Sequence, residues 1–131
     1  EVTVLSGAAL FVRRAAFKSV GGFDPQIFLY HEDDDLSLRL RAECGPLMFI
    51  RAASVRHIGG SSSVRSAQGA AFKAFHMGQS RVYAMRKHGW HLARARAGLG
   101  ALGQVILPQN WISRRKIAKQ WAFLRGVLSA P

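Results

Sequence analysis

Four carboxylates stand side by side in His31-Glu32-Asp33-Asp34-Asp35, over half of the seven acidic residues in the chain. Like charges at that density repel, so at least one carboxyl pKa should rise unless a metal ion or basic groups neutralise the cluster. A carboxylate with a raised pKa is what a general base near neutral pH requires. The run also lies where a helix should begin, and a helix N-terminus favours ionised acids as caps. Capping and chemistry therefore both stand as readings, and a position on a loop carried by a rigid scaffold favours chemistry. Acidic oxygens suit Mg or Mn. The run lacks the alternating spacing and following Gly of a calcium loop.

A second candidate is His57, at the end of a predicted strand and just ahead of Gly59-Gly60-Ser61-Ser62-Ser63. Glycines let backbone amides approach a ligand closely, and such amides can cradle phosphate oxygens. A Gly/Ser run is equally an ordinary linker, and a lone His an ordinary packed or solvated residue. The pairing of a strand-end His with an acidic cluster upstream is what raises its interest. His76, His88 and His91 sit in helical or capping contexts and suggest no chemistry; Cys44 reads as a core residue.

The elements that must position these groups can be read from periodicity. Val2–Val12 is mostly apolar and reads as a buried strand or two short extended pieces. Arg13–Val20 has helical spacing, closed by Gly21-Gly22 in a left-handed cap. Phe23–His31 is an aromatic loop with an Asp24-Pro25 turn signal. Asp33–Cys44 is the clearest helix, with Leu36, Leu40 and Cys44 on one stripe and Gly45-Pro46 at its close. Leu47–Ile50 and Ala53–His57 read as short strands, and residues 58–66 as a loop. A helix over 69–88 places Phe72, Phe75, Gln79 and Val82 on one face and ends at Gly89. Pro108 and Asn110 break the Ala/Gly/Leu-rich stretch that follows. Ser113 is then an N-cap for a last helix whose stripe is Ile117, Trp121, Leu124 and Leu128, with Phe123 on the basic side.

The net charge is +12, and its distribution is lopsided. Residues 1–43 hold all seven acids and five basic residues; residues 44–131 hold fourteen Lys or Arg and no acid. Such a field implies an anionic partner, whether anionic lipid, phosphorylated substrate or nucleic acid, or else simply an Arg-rich solvated surface. Nucleic acid is the poorer fit, because no recognition helix or aromatic-basic sheet motif is present and the acidic cluster would repel phosphates. The chain has no stretch of roughly 20 apolar residues and no charged leader ahead of a cleavage site. It opens on Glu1, so a native start need not be expected. A single cysteine fits a reducing compartment.

Taken together, several segments resemble family 2 glycosyltransferases, most closely their rhamnosyltransferase-like and galactofuranosyltransferase-like members. They are Ser6-Gly7-Ala8 with Phe11-Val12-Arg13-Arg14, then Val20-Gly21-Gly22-Phe23-Asp24. Phe28-Leu29-Tyr30-His31-Glu32-Asp33 follows with Asp35-Leu36 and Arg39, and finally His57 with Gly59-Gly60-Ser61. Their order and spacing match over about residues 5 to 90, and the combination is specific where no single piece is.

The resemblance implies an α/β fold: an incomplete GT-A-type mixed sheet with flanking helices, followed by a C-terminal helical tail. It implies residues 1–89 as the acceptor-binding and catalytic-base portion and 90–131 as a basic amphipathic tail. By position, Asp33 resembles the base that deprotonates the acceptor hydroxyl in an inverting transfer, with Glu32 supporting it or touching the acceptor. Ser6, Gly7 and Tyr30 fall near the acceptor, Gly59, Gly60 and Ser61 near the donor diphosphate, and His57 at a divalent metal, Mg or Mn. Asp35 and Arg39 read as structural, through capping and a helix-to-loop ion pair. The implied partners are a nucleotide-diphosphate sugar donor, a glycan or glycolipid acceptor for cell-surface polysaccharide, and an anionic membrane surface on the cytoplasmic face. No nucleotide-binding half with its own Asp-x-Asp precedes the acceptor segment, so most of the metal site and the activity itself would depend on a missing unit. The alternative is a small basic anion-binding module without catalysis.

Overall fold

The structure, a computed structural model, describes residues 1–57 and 66–131. Among these residues five α-helices carry the architecture: α1 (Arg14–Ser19), α2 (Glu32–Cys44), α3 (Ala67–Lys87), α4 (Ala93–Ile106) and α5 (Arg114–Ser129), with a 3-10 turn at Pro108–Asn110. The ends follow local chemistry. Gly21 and Gly22 take φ of 78° and 71° after α1, and the Gly22 N–H returns to the Phe17 carbonyl at 2.9 Å, the left-handed close that the glycine pair foretold. Gly89, at φ 77°, does the same after α3. Ser113 caps α5, its Oγ accepting from the Lys116 N–H at 3.2 Å. Ser66 caps α3 in the same way through the Gly69 N–H at 2.9 Å, which starts that helix two residues earlier than its periodicity indicates.

The expected mixed sheet is not there. Among the described residues no strand forms, and the segments read as strands (Val2–Val12, Leu47–Ile50, Ala53–His57) meet in one antiparallel bridge between Val2 and Leu47, N–H to carbonyl 2.9 Å. The fold is helical, which corrects the α/β assignment. The physical reason is that a strand's hydrogen bonds belong to its neighbours, so an apolar extended segment without flanking strands builds no ladder. These segments are also less buried than their apolarity suggests: Phe11 is 92% exposed and Phe49 65%.

Two cores result. In the first, Val20, Leu36 and Leu40 are surrounded by Leu10, Val12, Phe17 and Leu47, so that α2 closes over α1 and the N-terminal extended segment. In the second, Val82 of α3, Ala97 of α4 and Val127 with Ala130 at the end of α5 pack together, flanked by Met85 and Phe123. Glycines set how closely α3 and α5 cross. A Cβ on Gly78 would lie 2.5 Å from the Phe123 carbonyl oxygen, and one on Gly126 would overlap the Phe75 carbonyl. Only backbone fits at that crossing.

Two packing expectations are corrected here. Phe123 joins the core while Leu128 stays 60% exposed, because the crossing at Gly126 rotates α5 and buries Val127. Cys44 is exposed, since α2 covers only one short helix.

Candidate active site

The acidic run occupies the first turn of α2, and the loop before it determines where each carboxylate goes. Ile27 in that loop is buried, and Phe28 sits edge-on to Phe72 and His76 of α3, with ring centroids 6.3 and 4.7 Å away. From that anchor the chain turns into α2 through two successive left-handed residues, Tyr30 (φ 64°) and His31 (φ 69°). For non-glycine residues each costs about 1–3 kcal/mol, a strain that clusters at functional sites.

The four acids then diverge. Asp33 is held by backbone: its Oδ2 accepts the Gly7 N–H at 2.7 Å and its Oδ1 the Asp34 N–H at 3.0 Å. Asp34 Oδ2 lies 3.0 Å from His31 Nδ1. Glu32 has one carboxylate oxygen, Oε2, that is buried and without a hydrogen-bond partner among the described residues.

Asp35 is wholly buried. It accepts from Arg39 Nε and Nη2 at 2.9 and 2.7 Å, and from Lys87 Nζ at 2.9 Å; its Oδ1 is 2.9 Å from His88 Nε2. The Arg39 guanidinium also reaches back to the Val20 and Gly22 carbonyls at 2.5 and 2.7 Å; the Asp35–Arg39 ion pair itself lies within α2, so the helix-to-loop tie read for the pair is made by Arg39's hydrogen bonds, and Asp35 caps no helix among the described residues. Burial pushes the Asp35 carboxyl pKa up, but hydrogen bonds from Lys87, Arg39 and His88 outweigh it and hold the group below its ordinary value. For Asp35, then, the expected rise from crowding is reversed, because the cations of α3 arrive from the far side of the chain.

The residues matched to an acceptor site converge in part. Gly7 touches Asp33 so closely that a Cβ there would come 3.3 Å from Asp33 Oδ2. The neighbouring Ser6 lines an open, mostly apolar cavity of about 440 Å³ between residues 2–11 and 48–55. The Asp33 carboxylate is thus tied to the segment that forms the cavity wall. Tyr30 stands at the turn into α2, exposed.

His57 is exposed and makes no hydrogen bond or ion pair among the described residues. Gly59, Gly60 and Ser61 lie outside the described residues. Among the described residues no three His, Cys, Asp or Glu side chains converge on a point that could hold a metal ion, so these side chains do not by themselves make the expected divalent site.

Sequence reading missed the second layer of this site. Asp24 accepts from Tyr83 Oη at 3.0 Å and Lys87 Nζ at 2.5 Å. Together Asp24 and Asp35 therefore clamp the C-terminal end of α3 onto α2. Basic residues in the last turn of a helix are a usual complement to its dipole. Nothing in their local spacing announces partners 52 or 63 positions upstream.

Comparison with known proteins relates the chain to a portion of a glycosyltransferase. Ninety-three of its residues are 38% identical to N-acetylglucosaminyl-diphospho-decaprenol L-rhamnosyltransferase of Mycobacterium tuberculosis, in strains H37Rv and CDC 1551 alike. The match covers 70% of this chain and 30% of the relative, so the chain spans under a third of the curated proteins it matches. No protein-family model and no solved structure matches it.

Proposed function

We propose that this chain supplies the acceptor side and the catalytic base of an inverting, nucleotide-sugar-dependent glycosyltransferase that extends a glycan or lipid-linked acceptor in cell-surface polysaccharide synthesis. One observation carries the reading. At the strained start of α2, the Asp33 carboxylate is aimed by two backbone N–H groups, beside a buried Glu32 oxygen that has no donor among the described residues. A buried carboxylate oxygen without a partner costs about 1–3 kcal/mol or more, and an arriving hydroxyl would satisfy it.

In this reading Glu32 accepts a hydrogen bond from an acceptor hydroxyl and fixes the sugar. Asp33 takes the proton of the attacking hydroxyl. A carboxylate has about four lone-pair positions, and two backbone donors leave Asp33 capacity for that proton. The acceptor oxygen forms its bond to the anomeric carbon as the bond to the donor diphosphate breaks, and the negative charge departs on the diphosphate. Ser6, Gly7 and Tyr30 border the acceptor. The nucleotide and a divalent ion, Mg or Mn, fall to a separate nucleotide-binding unit. His57 is the ligand assigned to this chain toward the ion, and Gly59, Gly60 and Ser61 are its loop toward the diphosphate.

Residues 1–89 bear these roles. Residues 90–131 form a basic helical tail that shares the Val82 core with α3 and rests on the anionic inner face of the cell membrane. Arg114, Arg115, Lys116, Lys119 and Arg125 on α5 are all exposed, as electrostatic attachment requires. Among the described residues no helix is long and apolar enough to cross a membrane.

The test is transfer from a panel of nucleotide sugars to a short-chain, lipid-linked N-acetylglucosaminyl diphosphate. The chain alone should be inactive and the complete enzyme active, with Asp33→Asn lowering kcat on the order of 10²–10⁴-fold. Wild-type turnover by Asp33→Asn would remove the assigned base, and sugar transfer by the isolated chain would overturn its dependence on another unit.

A further inference from the structure

α4 packs in reverse of an ordinary amphipathic helix, which buries its large apolar side chains. Its inward stripe is small: Ala93, Ala97 and Ala101 are buried at four-residue intervals. Its large side chains point away, with Leu99 72% exposed, Leu102 46% and Ile106 73%. Their spacing of three and then four residues puts them on one face. The apolar surface runs on into the turn that joins α4 to α5, where Trp111 and Ile112 are 62% and 77% exposed. An exposed apolar surface shared by several large side chains marks a binding face.

The turn is also prepared to leave water. Pro108 has no N–H, and the N–H groups of Leu107, Asn110 and Trp111 donate to the carbonyls of Gly103, Leu107 and Pro108 at 3.2, 3.0 and 2.9 Å. The Asn110 side chain is buried and donates to the Gln104 carbonyl at 2.7 Å. The indole N–H is the sole polar group of the Trp111 side chain, and it donates to the Val105 carbonyl at 2.7 Å. Water would satisfy such groups without any internal partner. A polar group already paired inside the chain escapes the main cost of entering an apolar medium.

Basic residues follow at once. Arg114, Arg115 and Lys116, exposed in the first turn of α5, come directly after the apolar turn and its Ser113 cap. Cations at a helix N-terminus oppose its dipole, so their place there argues for an outside anion rather than for helix stability. No acidic residue occurs in the sequence after Glu43.

We infer that the outer face of α4 and the α4–α5 turn enter the apolar layer of an anionic lipid bilayer, with Arg114, Arg115 and Lys116 on the lipid phosphates. The inference rests on the membrane attachment proposed above and changes its nature, from surface attraction to insertion through a defined tip. Attraction alone would require the basic residues, but neither the outward leucines nor a turn whose polar groups are paired internally.

The test follows Trp111 emission from the chain in a W90F/W121F background. The vesicles are phosphatidylcholine and phosphatidylglycerol with brominated acyl chains. Binding should shift the emission to the blue, and the bromine should quench it. Ile106→Gln/Ile112→Gln changes two exposed side chains and has its fold checked by far-UV circular dichroism. It should weaken partitioning at least about tenfold, and Ile106→Leu/Ile112→Leu should retain it. Salt-reversible binding without quenching would overturn insertion and leave electrostatic attachment standing, whereas no binding to these vesicles would end both. A blue shift that needs no lipid and grows with protein concentration would assign the face to a second copy of the chain, and would equally overturn the inference.

Discussion

Asp35 and Glu32 share one turn of α2 and have opposite hydrogen-bond accounts. Asp35 is fully buried and satisfied by Arg39, Lys87 and His88, whereas Glu32 keeps a buried oxygen that no described residue satisfies. Cations that have lost their buried counter-ion are expensive to leave unpaired, so Asp35→Ala should destabilise the chain by about 3–5 kcal/mol. The midpoint of urea unfolding would show it, and a change below 1 kcal/mol would mean that the network contributes little.

Among the elements, the crossing of α3 and α5 is the tightest feature of the fold, since Gly78 and Gly126 leave no room for a side chain. Gly126→Ala should therefore cost at least the 1–3 kcal/mol typical of overpacking, read as a lowered melting temperature. Gly100 in α4 faces open space. There alanine relieves the entropic cost of glycine in a helix, and Gly100→Ala should stabilise by about 0.5–1 kcal/mol. Opposite signs at two helical glycines would tie the effect to the crossing rather than to helix propensity.

For the molecule as a whole, two small cores are joined through Asp24, Asp35 and Lys87, which makes their union pH-dependent. Burial raises the Asp24 and Asp35 carboxyls, but the hydrogen bonds from Lys87 and its neighbours prevail, and both sit below the ordinary 3.8. Burial lowers Lys87, but its bonds to Asp24 and Asp35 prevail, and it sits above 10.5. Carboxylates with depressed pKa values contribute stability that is complete above about 4 and is lost as pH falls through their folded values. A lysine with a raised pKa contributes below its unfolded value and loses that contribution as pH rises through its folded one. Melting temperature should thus be flat between these limits and fall on both sides. Lys87→Met should blunt the acid limb and remove the lysine's alkaline contribution; unchanged limbs in that variant would show that other groups govern the pH response.

Local chemistry was legible in the residues themselves. The glycine closes of α1 and α3, the Ser113 cap, the helix over the acidic run and the Asp35–Arg39 link all involve partners within one or two turns, where spacing along the chain is spacing in space. Sheet formation was not legible, because Val2–Val12 and Leu47–His57 are apolar enough for strands but have no flanking strands among the described residues to complete a ladder. Nor was the pairing of Asp24 and Asp35 with Lys87, the burial of Phe123 in place of Leu128, or the exposure of Leu99 and Ile106 on α4. The amino-acid sequence by itself determined the helices and the cluster of acids. Only tertiary packing decided which way Asp33 and Asp35 point, because that depends on the backbone of Gly7 and the cations at the end of α3, brought up from distant parts of the chain by two separate cores.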